Sequence, residues 1–271
     1  MKKMKAGLVS LLSFLLLAAC SPTPIADKDI AERIEQGSDT SITWGVKADT
    51  NLFGLYNIDK RKIEGFDVDI AKALTKEITG DEEDAEFVEV TSKTRIPLLK
   101  NGNIDAIIAT MTISEERLKQ VNFSDTYFSA GQSLLVPENS PIQSVEDLTE
   151  KETVLAVKGS TSAKNIREQS PETPVLELEK YAEAFSALKA GQGEAMTTDS
   201  AILLGIIADN PGYRLAGEPF TDEPYGIAID KKQDNFLELV NQSLDNIIDN
   251  GAYEQVFHKW FPNEEVPSLN E

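Results

Sequence analysis

Short apolar runs alternate with longer amphipathic stretches from Ser41 to Phe261. Ser41–Val46 (SITWGV) alternates as a first strand, and a polar segment, Lys47–Gly54, follows it. From Gly65 onward Phe66, Ile70, Leu74 and Ile78 recur every fourth residue, which predicts a helix with one apolar face. Glu86–Val90 reads as a second strand ending in the polar, partly basic Thr91–Arg95. A short helix follows, with Pro97 in its first turn and Gly102 at its end. Asp105–Ala109 is long enough for a buried strand, and Gly131–Pro137 for another. The pattern then restarts. Thr153–Val157 is a strand, Tyr181–Ala190 a helix stopped by Gly191, Ala195–Thr198 a strand, and Ala201–Ala208 an apolar helix. Pro224–Ile229 is the last strand. Lys231–Asn250 is a helix with Phe236, Leu239, Val240, Leu244, Ile247 and Ile248 on one side, and Tyr253–Phe261 closes the chain.

Two rounds of alternating strands and helices predict an α/β fold of two lobes, each a mainly parallel sheet flanked by helices. The extended runs 132–137 and 225–227 are natural hinge crossings. Lobe 1 is then 39–131 plus 228–271, and lobe 2 is 138–224. Ligands of open α/β sheets lie beyond the carboxyl ends of the strands, so the polar strand ends of both lobes are expected to face one cleft.

The chain has 271 residues and is 41% hydrophobic, enough for one large or two small cores. Its 46 acidic and 26 basic residues give a net charge of −20, which argues against nucleic acid and against adsorption to anionic lipid. Residues 1–19 read as a targeting segment: Lys2, Lys3 and Lys5 precede an apolar core, Leu8–Leu17, shorter than the roughly 20 residues of a membrane span. The sequence Leu17-Ala18-Ala19-Cys20 resembles the bacterial lipoprotein signal, in which cleavage precedes the cysteine and its sulfur receives a diacylglycerol. Cys20 is the only cysteine, so an intrachain disulfide is excluded. Residues 20–38 read as the lipidated Cys and a polar stalk, within which Asp29–Gln36 has the composition of a short helix. A location on the extracellular face of a cell membrane, of Gram-positive type, follows.

The candidate chemistry gathers at strand ends. Thr112-Ile113-Ser114-Glu115 has the form of a capping box, with Thr110 before it and Arg117 on the first turn of the helix it would start. Two hydroxyls and a guanidinium at one strand edge suit a carboxylate. The alternative is a surface arginine paired with Glu115 or Glu116. Lys158–Ser162 is a small polar turn whose amides could face an anion, without Walker spacing. Asp199 ends a strand, either as a plain helix N-cap or as a site carboxylate. Asp67 and Asp69 read as helix-start residues. No metal site, cofactor or catalytic residue emerges: the sole histidine, His258, lies in the C-terminal aromatic helix, outside these clusters.

Several motifs in order carry a resemblance: Gly65-Phe66-Asp67-Val68-Asp69, then Thr110-Met111-Thr112 to Glu116-Arg117, then Phe123-Ser124-Asp125-Thr126-Tyr127, then Lys158–Thr161 and Thr198-Asp199-Ser200. Over residues 40–262 the chain resembles the polar amino-acid solute-binding proteins of ABC importers, family 3, with their two-lobed periplasmic-binding-protein fold. The resemblance implies that Arg117 grips the ligand α-carboxylate, assisted by Thr112 and Thr161, with Ser160 in the same turn. The backbone at Thr110 and the carboxylate of Asp199 take the α-ammonium. Thr91–Leu99 is similar to a segment of acidic amino-acid binders, which implies side-chain contacts from Ser92 and Arg95, with Lys47 beside them; Tyr181 is a further contact. This favours glutamate, then glutamine or aspartate. An aromatic of the family falls at Leu52 or Phe53. The implied role is a monomeric, lipid-anchored receptor delivering an amino acid to an ABC permease and ATPase. Competing readings are a dehydratase-like enzyme on the same fold, or an amino-acid sensor or adhesion lipoprotein.

Overall fold

In the computed structural model, residues 29–37, 39–267 and 269 are described. Cys20, the signal segment and the stalk up to Lys28 lie outside them. The first lobe opens with helix α1 (Ile30–Glu35), capped by the side chain of Asp29. Residues 29–37, assigned above to a stalk, therefore belong to this lobe: Ile30, Ala31 and Ile34 are buried, and the Gln233 side chain accepts from the Ile30 N–H at 2.9 Å. Next come β1 (Ile42–Val46), β2 (Asp49–Thr50), β3 (Gly54–Asn57), β4 (Lys62–Glu64) and α2 (Phe66–Thr79). Strands β2 to β4 form a small antiparallel sheet in a stretch where the residue pattern predicted no strand. In α2 Phe66, Ile70 and Leu74 are buried as their spacing predicts, and Gly80 ends the helix in the left-handed region with φ 92°. The lobe continues through β5 (Ala85–Glu89), α3 (Arg95–Lys100), β6 (Ala106–Ile107), α4 (Glu115–Leu118) and β7 (Asn122–Ala130).

The second lobe contains β8 (Gln132–Pro137), β9 (Val154–Val157), α5 (Thr161–Gln169), β10 (Val175–Leu178), α6 (Tyr181–Lys189), β11 (Ala195–Asp199), α7 (Ser200–Asp209) and β12 (Tyr213–Ala216). The chain then returns through β13 (Glu223–Ile229), α8 (Asp234–Asp249) and α9 (Ala252–Trp260).

The two large sheets share one plan. Their strand orders are β5-β1-β6-β13-β7 and β10-β9-β11-β8-β12. In each, four strands point the same way, and a strand arriving from the other lobe, β13 or β8, runs antiparallel to its two neighbours. The sheets are thus mainly parallel as expected, made mixed by the one crossing strand, which enters from the opposite end. The crossings are shorter than expected. Gln132–Asp199 and Leu134–Ala216 pairings place 132–137 inside the second sheet, and Tyr225–Phe128 pairing places 225–227 inside the first. The chain changes lobes at Gly131 and again between Thr221 and Glu223. At Gly131 a side chain has no room, since a Cβ would sit 2.7 Å from the Thr221 carbonyl.

The centre of lobe 1 is aromatic. Phe66 meets Phe128, Tyr253, Phe257 and Phe261 at ring separations of 5.5 to 6.1 Å. Tyr253, Phe257 and Phe261 follow helical spacing, so the C-terminal segment buries one face on this cluster. Phe53 is buried here as well, stacked edge-on against Phe66, Phe128 and Tyr225. Its ring belongs to the core. Among the described residues no helix is long and apolar enough to cross a membrane.

Candidate functional site

Between the lobes lies a cleft whose first wall is built from the end of β6. The buried run Ala106–Ala109 carries the chain to Thr110, which takes φ 45° without being glycine. Asp67 fixes this turn: its carboxylate accepts from the Thr110 N–H at 2.9 Å and from the Tyr127 hydroxyl at 2.9 Å. Asp67 reaches that point because the first amides of α2 bond the Leu52 and Phe53 carbonyls, seating the helix start deep in the lobe. The Ala109 carbonyl accepts from Arg95 Nη1 at 2.7 Å and from the Thr110 hydroxyl at 2.8 Å. Met111 and Ile113 are zipped to β13 through Gly226 and Pro224.

The cap of α4 is Ser114, which accepts from the Arg117 N–H at 3.4 Å, and not Thr112 as the T-x-x-E spacing suggested. That releases the Thr112 hydroxyl to point across the cleft, 3.4 Å from that of Thr161. Arg117 is buried rather than paired on the surface. Its Nη1 donates to the Thr112 carbonyl at 2.8 Å and its Nη2 to the Gly159 carbonyl of the second lobe at 3.2 Å.

The second wall comes from β9, its following turn, and the end of β11. Thr161 donates to Glu223 at 2.9 Å. Asp199 precedes α7, yet its side chain caps nothing. One carboxylate oxygen accepts from the Tyr225 hydroxyl at 2.6 Å, and the other is buried without a partner. Tyr181 is buried and 3.4 Å from the Thr198 hydroxyl. Ser160 departs from expectation: its hydroxyl accepts from the Ala163 N–H and donates to the Val157 carbonyl, so it serves the start of α5. It remains at the cleft mouth, a groove of ≈ 740 Å³ whose lining includes Ser92, Arg117 and Thr161.

A basic group completes the site. Lys47 Nζ donates to Ser92 Oγ at 2.8 Å and lies 4.8 Å from the centre of the Tyr181 ring. Burial, and then the Arg95 charge, push the Lys47 ammonium down to about 7. Burial and then Arg117 bring Arg95 down to about 9, and burial lowers Arg117 as well, opposed by Asp199. Burial and then Glu223 raise Asp199 to about 7, and burial raises Asp67 to about 7. Charges of both signs are out of water, and Asp199 keeps an unpartnered oxygen while Arg95 keeps an unpartnered Nε. Such an arrangement suits a small molecule carrying both a carboxylate and an ammonium, since either charge buried alone costs several kcal/mol by order of magnitude. Among the described residues no cluster of His, Cys, Asp or Glu is arranged to hold a metal.

Residues 42–263 match the bacterial extracellular solute-binding proteins, family 3. The chain belongs to this family. It is 54% identical to the ABC transporter glutamine-binding protein GlnH of Bacillus subtilis (strain 168), covering 97% of this chain and 99% of that protein. It is also 54% identical to a glutamine-binding protein of Geobacillus stearothermophilus, over 88% of this chain and 95% of the relative. Among solved structures, an ancestral arginine-binding protein bound to glutamine superposes with a TM-score of 0.77 at 39% identity, covering 82% of this chain and 98% of that one. This family-3 protein is an amino-acid-binding receptor of the ABC-transporter type and not an enzyme.

Lys47, Ser92, Arg95, Thr110, Thr112, Arg117, Thr161, Tyr181 and Asp199 are thus brought to one cleft. The residue pattern missed four supporting groups: Asp67, Tyr127, Tyr225 and Glu223. For Asp67 a signal existed. It stands four residues before Ala71 and seven before Leu74, on the buried face of α2, where a carboxylate needs a partner.

Proposed function

We propose that this receptor binds L-glutamine between its lobes and passes it to a membrane permease, held at the cell surface as a monomer by a lipid on Cys20. The observation that carries the reading is the presence in one cleft of a buried guanidinium, Arg117, and a buried carboxylate, Asp199, that feels its charge and keeps one oxygen unpartnered. In this reading Arg117 takes the α-carboxylate with Thr112 and Thr161, and Asp199 with the Thr110 backbone takes the α-ammonium. Lys47, Ser92, Arg95 and Tyr181 surround the ligand side chain.

Glutamine replaces the glutamate preference stated above. Two relatives at 54% identity are named for glutamine. The site chemistry supports the same choice. Burial and the Arg95 charge hold the Lys47 ammonium well below its ordinary value, and Arg95 already gives one arm to the Ala109 carbonyl. The side-chain end therefore offers hydrogen-bond donors with less positive charge than its two basic residues suggest, which suits an amide.

Titration calorimetry with glutamine, glutamate, aspartate and arginine tests the reading. Glutamine is expected to bind at least tenfold more tightly than glutamate, a difference of about 1.4 kcal/mol. Tighter glutamate binding would restore the acidic-ligand assignment, and no binding of any amino acid would reject the receptor site. For the anchor, Cys20→Ala is expected to move the protein from the membrane fraction into the medium.

A further inference from the structure

Beside the charged site the lobes also meet where the turn after β2 lies against α6 and α7. Asp49 of lobe 1 accepts from the backbone N–H of Tyr181, the first residue of α6, at 2.8 Å. The residue before that helix, Lys180, supplies no side-chain cap, so the start of α6 is capped from the other lobe. Two residues on, Asn51 Nδ2 donates to the Gly205 carbonyl at 2.9 Å and to Asp209 at 2.9 Å. Its Oδ1 accepts from the Leu52 N–H at 2.8 Å, in a turn where Leu52 takes φ 71°.

Gly205 is the partner that makes this approach possible. It sits inside α7, six residues and about 9 Å of helix rise beyond Asp199. Glycine is a poor helix former compared with alanine, and nothing within the otherwise apolar helix calls for it. A Cβ at this position would stand 2.8 Å from the Asn51 carbonyl oxygen and 3.2 Å from its carbon, both backbone atoms. The missing side chain serves the contact between lobes rather than the lobe itself.

We propose that the Asp49–Leu52 turn is a latch for the closed state, and that Gly205 is the positioning residue that lets it seat and thereby sets ligand affinity. The inference rests on the amino-acid-receptor reading above. Apparent affinity scales with the fraction of molecules able to close, so a weaker latch lowers affinity with every ligand contact intact.

Three proteins test it: the wild type, Gly205→Ala and Asn51→Ala, each measured by calorimetry with glutamine, by ligand-free thermal melting, and by small-angle scattering at saturating glutamine. Gly205→Ala is expected to melt at or above the wild-type temperature without ligand, to bind glutamine at least tenfold more weakly, and to stay more expanded when saturated. That opposition of signs separates a latch from ordinary packing. Asn51→Ala adds no bulk, and is expected to lose three- to tenfold in affinity with unchanged ligand-free melting. Affinity within twofold of wild type in both variants would overturn the latch while leaving the receptor reading intact. A lower ligand-free melting temperature for Gly205→Ala would also overturn it, since the glycine would then serve lobe 2 alone. A wild type that binds no amino acid would remove both readings.

Discussion

On the lobe-1 wall of the cleft, Asp67 holds the Thr110 amide, Arg95 holds the Ala109 carbonyl and Arg117 holds the Thr112 carbonyl, all from within the same lobe. On the lobe-2 wall, Asp199 is held by Tyr225 and Thr161 by Glu223, both from β13 of lobe 1. Most of the first wall's bonds are thus internal to lobe 1, the exception being the Arg117 Nη2 bond to the Gly159 carbonyl. The second gains its orientation on closure. In the proposed reading a ligand carboxylate meets a largely preorganised seat on lobe 1 and the second lobe adds its carboxylate when the cleft shuts, which limits the ordering cost of binding.

The strongest way to break this comparison is to empty the seat. Arg117→Ala should weaken glutamine binding by about 3–5 kcal/mol, because a buried charge loses its partner. Calorimetry reads this directly, and a loss below tenfold would mean that lobe 1 does not lead.

The second test uses proton linkage at Asp199. Its folded-state value of about 7 lies above the ordinary carboxyl value of about 4. With the lobes met as here, the native state between about pH 4 and 7 holds a proton that the unfolded chain has released. The corresponding stability is present below about pH 4 and is lost as pH rises to about 7. Wild type should melt progressively lower relative to Asp199→Asn as pH rises through that window. A constant difference would show that Asp199 is not enclosed before ligand arrives.

Two milder substitutions sharpen the contrast. Asp67→Asn replaces an acceptor of two bonds by a group that can accept only one side, and should cost about 1–3 kcal/mol in ligand-free denaturant unfolding. Tyr225→Phe removes only the hydroxyl on Asp199. It should leave ligand-free unfolding unchanged and weaken glutamine binding by about 1 kcal/mol. Equal effects of the two on ligand-free stability would erase the distinction between the walls.

Much of the fold was legible because its strands and helices follow clean periods. Phe66, Ile70 and Leu74, or Phe236, Val240 and Leu244, announce their buried faces by spacing alone. The two-lobe division followed from the repeated alternation. The crossings were misplaced by a few residues because an extended run looks the same whether it bridges two sheets or pairs within one. β2 to β4 are so short, and β3 so exposed at Leu55 and Tyr56, that no alternation marks them. At the site, the groups that face one another were readable from motifs at strand ends. The groups that hold them, Tyr127 and Tyr225, look like ordinary aromatic strand residues. Only the packed lobe shows that each ring fills the core while its hydroxyl carries a carboxylate. Ser114 and Thr112 show the limit of motif spacing: both are good caps, and β13 pairing with Thr112 decides between them.

The path of β13 has a consequence for how the chain is made. This strand closes the first sheet by pairing Ala228 with Ile107 and Tyr225 with Phe128, and α8 and α9 then cover the aromatic cluster. Synthesis delivers those segments last. The second lobe is continuous from Gln132 to Thr221 and can assemble as soon as it emerges, whereas the first waits with half its sheet unpaired. Contacts so distant in sequence form slowly. A product cut short before Glu223 would carry one finished lobe and, in the other, a sheet edge left open and adhesive.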